Sequence, residues 1–133
     1  MLGFKDYVDC FYRELHVATL LWCAYILGLL GILAVVLSYA KPFGLQQIVA
    51  ISTPFVMIAY LHLQLIYYRY VTLGLLRREL LKLTKTKNVQ SENLDQWVRK
   101  GLFVASSRSI LSIHLGIDLV VLGVICLQPL WAV

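Results

Sequence analysis

The chain has 133 residues, 12 Lys and Arg against 7 Asp and Glu for a net charge of +5, 60% hydrophobic and 14% charged side chains, and a mean hydropathy of +0.78. Soluble domains carry about a quarter charged residues, and disordered chains combine low hydrophobicity with high charge, so both classes are excluded. The solvent of this chain is largely lipid, and its length leaves room for one membrane domain covering 1–133.

Residues 1–16 intersperse Phe4, Tyr7, Val8, Phe11, Tyr12 and Leu15 with Lys5, Asp6, Asp9, Arg13 and Glu14. This mixture predicts a short amphipathic helix lying in the membrane interface. Its mixed charge differs from the basic start of a cleaved signal, and its acids differ from the composition of a transit peptide.

Residues 17–40 hold no charged side chain, and 24 positions exceed the ~20 needed to cross the hydrocarbon core, so they form the first span. Lys41, Pro42, Phe43 and Gly44 predict a reversal, because proline cannot continue a helix and glycine relaxes the backbone. The second span is read over 45–68. It contains Pro54, whose freed carbonyl Ser52, Thr53 or a neighbouring helix could satisfy, and it closes on an interface belt of Tyr67, Tyr68, Arg69 and Tyr70.

Residues 69–101 form the polar stretch. Arg69, Arg77, Arg78, Lys82, Lys85, Lys87, Arg99 and Lys100 stand against Glu79, Glu92 and Asp95. Leu73, Leu76, Leu80 and Leu83 recur at helical spacing, which extends the second helix past the membrane. A break is expected over 88–93. Asn93 and Gln96 then have capping-box spacing, starting a helix that runs unbroken into a third span over 102–126, with Gln128, Pro129 and Trp131 at its exit.

The predicted fold class is thus all-α: an integral membrane bundle of three transmembrane helices, an interfacial N-terminal helix and a helical basic loop between spans 2 and 3. With that loop inside, ten Lys and Arg lie on the inner face (Lys5, Arg13 and the eight above) against Lys41 outside. The positive-inside rule then places the N-terminus inside and the C-terminus outside. A bacterial inner membrane or an organelle inner membrane is the expected location. The basic loop is read as a partner of anionic phospholipid head groups; topology accounts for the charge, so no nucleic acid is invoked.

Ionisable groups inside a span cost ~2.5 to 3.5 kcal/mol on insertion scales and call for a partner or a pathway. The third span carries Arg108, His114 and Asp118. His114 and Asp118 are four apart and share a helix face, as a proton relay or as a pair that glues helices together. Arg108, about six residues into the span, is expected to snorkel to the inner head groups. His62, about six residues from the inner end of the second span, is then placed at the depth of Arg108, ~9 Å from His114 along the membrane normal. That offset argues against haem between His62 and His114.

Small residues form two stripes: Ala105, Ser109, Ser112, Gly116 and Gly123 on the third span, and Ala24, Gly28 and Gly31 on the first. Such stripes allow close helix packing. His114 and Asp118 point away from Gly116, so one face of the third helix can pack within the chain and leave the ionisable face for a partner.

Cys10, Cys23 and Cys126 match neither a disulfide framework nor a zinc site and are read as small hydrophobes. No nucleophile with an adjacent base, metal-ligand spacing or carboxylate pair is present. The expected function is therefore non-catalytic: an accessory or assembly subunit of a larger membrane complex, with no metal, in contact with the bilayer and with other subunits or copies of itself. Its rivals are a homo-oligomeric proton or ion pathway through Asp118, His114 and Ser107, a haem- or quinone-binding redox anchor near His62 and Arg108 that would need another subunit, and a holin-like pore.

Overall fold

A computed structural model describes residues 4–86, 96, 98, 100, 102 and 104–131. Three helices, α1 (Phe4–Ser38), α2 (Leu45–Thr86) and α3 (Ser107–Trp131), account for most of them. All three are long and apolar enough to cross a membrane. Their buried positions advance in steps of three, four or seven: Phe11, Ala18, Tyr25, Leu29 and Val36 on α1; Phe55, Ala59, His62, Ile66, Leu73 and Leu80 on α2; Ile110, His114, Asp118, Val121, Ile125 and Gln128 on α3. This spacing gives each helix one seam facing the others.

The N-terminal segment is not a separate interfacial helix. Residues 4–16 and the first span are one helix of 35 residues, because no glycine or proline interrupts 12–20 and the Thr19 hydroxyl bonds back to the Leu15 carbonyl within the helix instead of capping a new one. At 1.5 Å per residue α1 is ~52 Å long and α2, with 42 residues, ~63 Å, so both outreach a ~30 Å hydrocarbon core. They do so at the same end. There Phe11 packs in one cluster with Leu73 and Leu80, which also receives Val98 and Leu102, and Glu14 meets the Arg69 guanidinium at 2.6 Å. The predicted continuation of α2 beyond residue 68 is present, and the helix passes through Pro54.

The third helix begins later than read from sequence. Residues 104–106 are not helical, so the helix does not run unbroken from a cap at Asn93, a position that lies outside the described residues together with the proposed break at 88–93, Lys87 and Arg99. Ser106 caps α3 instead: its Oγ accepts the Ser109 N–H at 3.1 Å and its carbonyl accepts that of Ile110. At the other end α3 continues past Cys126 through Pro129 to Trp131.

The reversal expected at 41–44 is present between α1 and α2 and begins two residues earlier, at 39, because α1 ends at Ser38. Gly44 N–H donates to the Gln47 side chain at 2.8 Å while the Gly44 carbonyl accepts from Gln47 N–H, so Gln47 covers an amide that no helical carbonyl reaches. The turn is held from across the bundle by Gln128. This fully buried side chain accepts the Phe43 N–H at 2.7 Å and donates to the carbonyls of Lys41 at 3.0 Å and Tyr39 at 3.3 Å.

Candidate functional site: a buried tyrosine, histidine and aspartate cluster

The core has two apolar layers. One is the α1/α2 end cluster around Phe11, Ile66 and Leu73; the other joins Leu29, Val36, Phe55 and Ile125 toward the turn. His62, His114, Asp118 and the hydroxyl of Tyr25 form a polar layer between them. His114 is fully buried, and Asp118 and His62 are each 8% exposed.

Each helix contributes through its seam. His114 and Asp118 are one turn apart on α3, so Nδ1 of His114 reaches Asp118 Oδ2 at 2.6 Å. From α2, His62 Nδ1 lies 2.7 Å from His114 Nε2, and its Nε2 donates to the Leu21 carbonyl of α1 at 3.1 Å. From α1, the Tyr25 hydroxyl donates to Asp118 Oδ1. The Tyr25 ring stacks on His62 with centroids 4.1 Å apart and on His114 at 4.7 Å. Trp22 meets both imidazoles, at 5.4 and 5.7 Å, and closes the layer with apolar surface.

The bonding pattern dictates a proton count. The Leu21 carbonyl can only accept, so His62 Nε2 carries a hydrogen. One more hydrogen lies between His62 and His114, and a third between His114 and Asp118. Three protons are one more than two neutral imidazoles and a carboxylate hold, so the fully bonded cluster has no net charge. That proton can sit on Asp118, on His114 or on His62 without breaking a bond. Net neutrality removes most of the penalty for burying ionisable groups, and complete pairing removes the rest.

Several sequence expectations change. His62 is not offset from His114: the two rings touch. The 9 Å estimate counted α3 from residue 102, whereas the helix starts at Ser107, a difference of five residues or ~7.5 Å. The offset therefore carries no argument about haem between these two histidines. Two iron–nitrogen bonds of ~2 Å each need ring nitrogens ~4 Å apart, and the 2.7 Å contact leaves no such space. Arg108 is the second residue of α3 and exposed; it stays outside the cluster that holds His62.

The two faces of α3 are the reverse of the expected arrangement. The ionisable face packs inward, while Ser109, Ser112 and Gly116 are exposed, as are Ala24, Gly28 and Gly31 on α1. A Cβ placed on Gly28, Gly31, Gly116 or Gly123 would meet nothing within 4 Å. The small residues do not bring helices together within this chain, although Ala105 packs half-buried against the end cluster. Cys23 and Cys126 are also exposed, with Cys10 half-buried. Of the basic residues that are described, Arg78 and Lys100 are exposed, Lys82 is 70% exposed and bound to Glu79, and Arg69 is held by Glu14.

Tyr25, Trp22 and Gln128 are members or supports of this core that charge and hydropathy do not single out. Their signal is periodic: Tyr25 lies seven residues after Ala18 and Gln128 three after Ile125, each in register with buried apolar neighbours. Comparison with known proteins returned no match by family model, by curated sequence or by solved structure.

Proposed function

We propose that the chain is a multi-pass membrane protein that serves as a non-catalytic accessory or assembly subunit of a larger membrane complex. The observation that supports this reading is the division between interior and surface. His62, His114 and Asp118 satisfy one another inside the bundle with Tyr25, and the outer wall between α1 and α3 is made of small and apolar side chains. On that wall a groove of about 590 Å³ runs between α1 and α3, lined by Leu30, Leu33, Ser112 and Gly116 among others. Small residues there admit another helix at short range, where packing supplies the association energy that lipid tails do not. The charge bias favours the N-terminus inside, in a bacterial or organelle inner membrane, with the basic extension facing anionic head groups.

The test is mild-detergent purification with cross-linking mass spectrometry, on the native chain and on Gly116→Leu. A partner, or a second copy, cross-linked through the α1/α3 groove and lost in the variant supports the reading. A chain that stays monomeric in lipid and recovers no partner overturns it.

The second reading is a proton pathway, favoured by the unbroken run from the Leu21 carbonyl through His62 and His114 to Asp118. Liposome reconstitution separates the two. Proton flux abolished by Asp118→Asn supports the pathway, and flux equal to empty vesicles removes it.

A further inference from the structure

Between α2 and α3 a second cavity, of about 240 Å³, is lined by Phe55, Ala59, Tyr60, Leu115, Asp118 and Leu119 with their neighbours. Its inner wall is the buried Phe55 and Ala59, and its rim is the exposed Tyr60, Leu115 and Leu119, so it opens sideways, toward lipid in a membrane-spanning bundle. Asp118 is the sole carboxyl among the lining residues. A carboxylate has about four acceptor positions, and Tyr25 and His114 occupy one on each oxygen. The Tyr60 hydroxyl is engaged by Gln64 on its own helix at 2.6 Å, which leaves its ring to the cavity. An apolar chamber with two aromatic rings and one carboxyl has the composition that recognises organic ammonium ions.

We propose that this cavity binds a hydrophobic organic ammonium ion drawn from the bilayer, and that binding expels the proton shared by His62, His114 and Asp118. The ammonium head pairs with Asp118 while its apolar body lies against Phe55, Ala59 and Leu115. The departing proton leaves an N–H or O–H bond of the cluster for a water molecule, so two hydrogens remain for the three contacts from the Leu21 carbonyl to Asp118 and one of those hydrogen bonds is given up. A cation beside the neutral cluster would leave one uncompensated positive charge in a low-dielectric interior, and loss of one proton to water restores neutrality. The titratable groups facing Asp118 are Tyr25 from α1, His62 from α2 through the imidazole contact, Tyr60 of α2 across the cavity, and His114 from its own helix. Of these, the two histidines share the proton that leaves. This inference is independent of the assembly role.

The experiment uses the full chain in lipid nanodiscs, titrated with benzyltrimethylammonium, which has no acidic proton of its own, and with its neutral carbon analogue neopentylbenzene. Expected are saturable binding of the cation, release of about one proton per cation in weak buffer, and an affinity that falls about tenfold per pH unit on acidification. Asp118→Asn should weaken the cation at least about tenfold and leave the neutral analogue unchanged. Ala59→Phe, which fills the cavity from its α2 wall, should weaken both. Equal affinity for cation and analogue, binding without proton release, no saturable binding, or a cation affinity unaltered in Asp118→Asn would each overturn the proposal.

Discussion

His62 and His114 are 52 residues apart, yet Nδ1 of one ring lies 2.7 Å from Nε2 of the other, and through this contact α2 and α3 share the proton network that α1 completes. The contact orders the whole layer. One His114 nitrogen serves His62, the other serves Asp118, and Asp118 in turn receives Tyr25.

Removing a member of a closed network strands its partners. Asp118→Ala leaves the Tyr25 hydroxyl and His114 Nδ1 buried without acceptors, with an expected loss on the order of 3 kcal/mol. Asp118→Asn keeps an acceptor for Tyr25 and should lose about 1 kcal/mol. Denaturation in mixed micelles, monitored by tryptophan fluorescence, measures both; equal, negligible losses would contradict a closed network.

Gln128 makes a second, separate clamp. Gln128→Leu keeps the buried volume but leaves the Phe43 amide and the Lys41 carbonyl without the side chain that holds them. The expected destabilisation is ~1 to 3 kcal/mol, with local loosening of residues 39–44 seen as faster amide exchange at Phe43. Unchanged exchange at Phe43 would show that the turn holds itself.

The small-residue stripes give a prediction of opposite sign. If Gly28 and Gly116 brought helices together within the chain, alanine would destabilise it. Open space around both predicts that Gly28→Ala and Gly116→Ala instead stabilise the isolated chain by ~0.5 to 1 kcal/mol through helix propensity. The same denaturation assay decides the sign.

The path of the N-terminal segment is tested by the Glu14–Arg69 pair. One partner is part-exposed, with side-chain exposures of 16% and 39%, so a double-mutant cycle with Glu14→Gln and Arg69→Gln should return a coupling of ~0.5 to 1 kcal/mol. Zero coupling would fit a segment lying flat in the interface, away from α2.

Much of this architecture is legible in the sequence. The uncharged run 17–40, the Pro42 and Gly44 turn and the leucine spacing from Leu73 to Leu80 report directly on α1, the reversal and the extension of α2. Local signals fail where tertiary contacts decide. The amphipathic pattern of 4–16 is the same for a helix on a membrane surface and for one packed on Leu73 and Leu80, and hydropathy does not distinguish them. Leu102 is apolar because it enters the end cluster, so the apolar run overstates the length of α3. The pairing of His114 with Asp118 follows from i, i+4 spacing alone, whereas His62 and Tyr25 join them through helix register, which single-helix patterns do not encode. The inward turn of that face is recorded in Ile110, Val121 and Ile125, which share its seam.

The most direct test of the central claim, a buried proton-sharing chain inside one polypeptide, is nitrogen-15 NMR of histidine-labelled protein in micelles. A hydrogen bond from ring nitrogen to ring nitrogen transmits a scalar coupling between the two nuclei. The structure predicts a cross-peak between one Nδ1 and one Nε2 that is assigned to His62 and His114 and vanishes in His62→Gln, with His62 Nε2 protonated throughout. Two independently titrating, solvent-exchanging imidazoles with no coupling between them would contradict it.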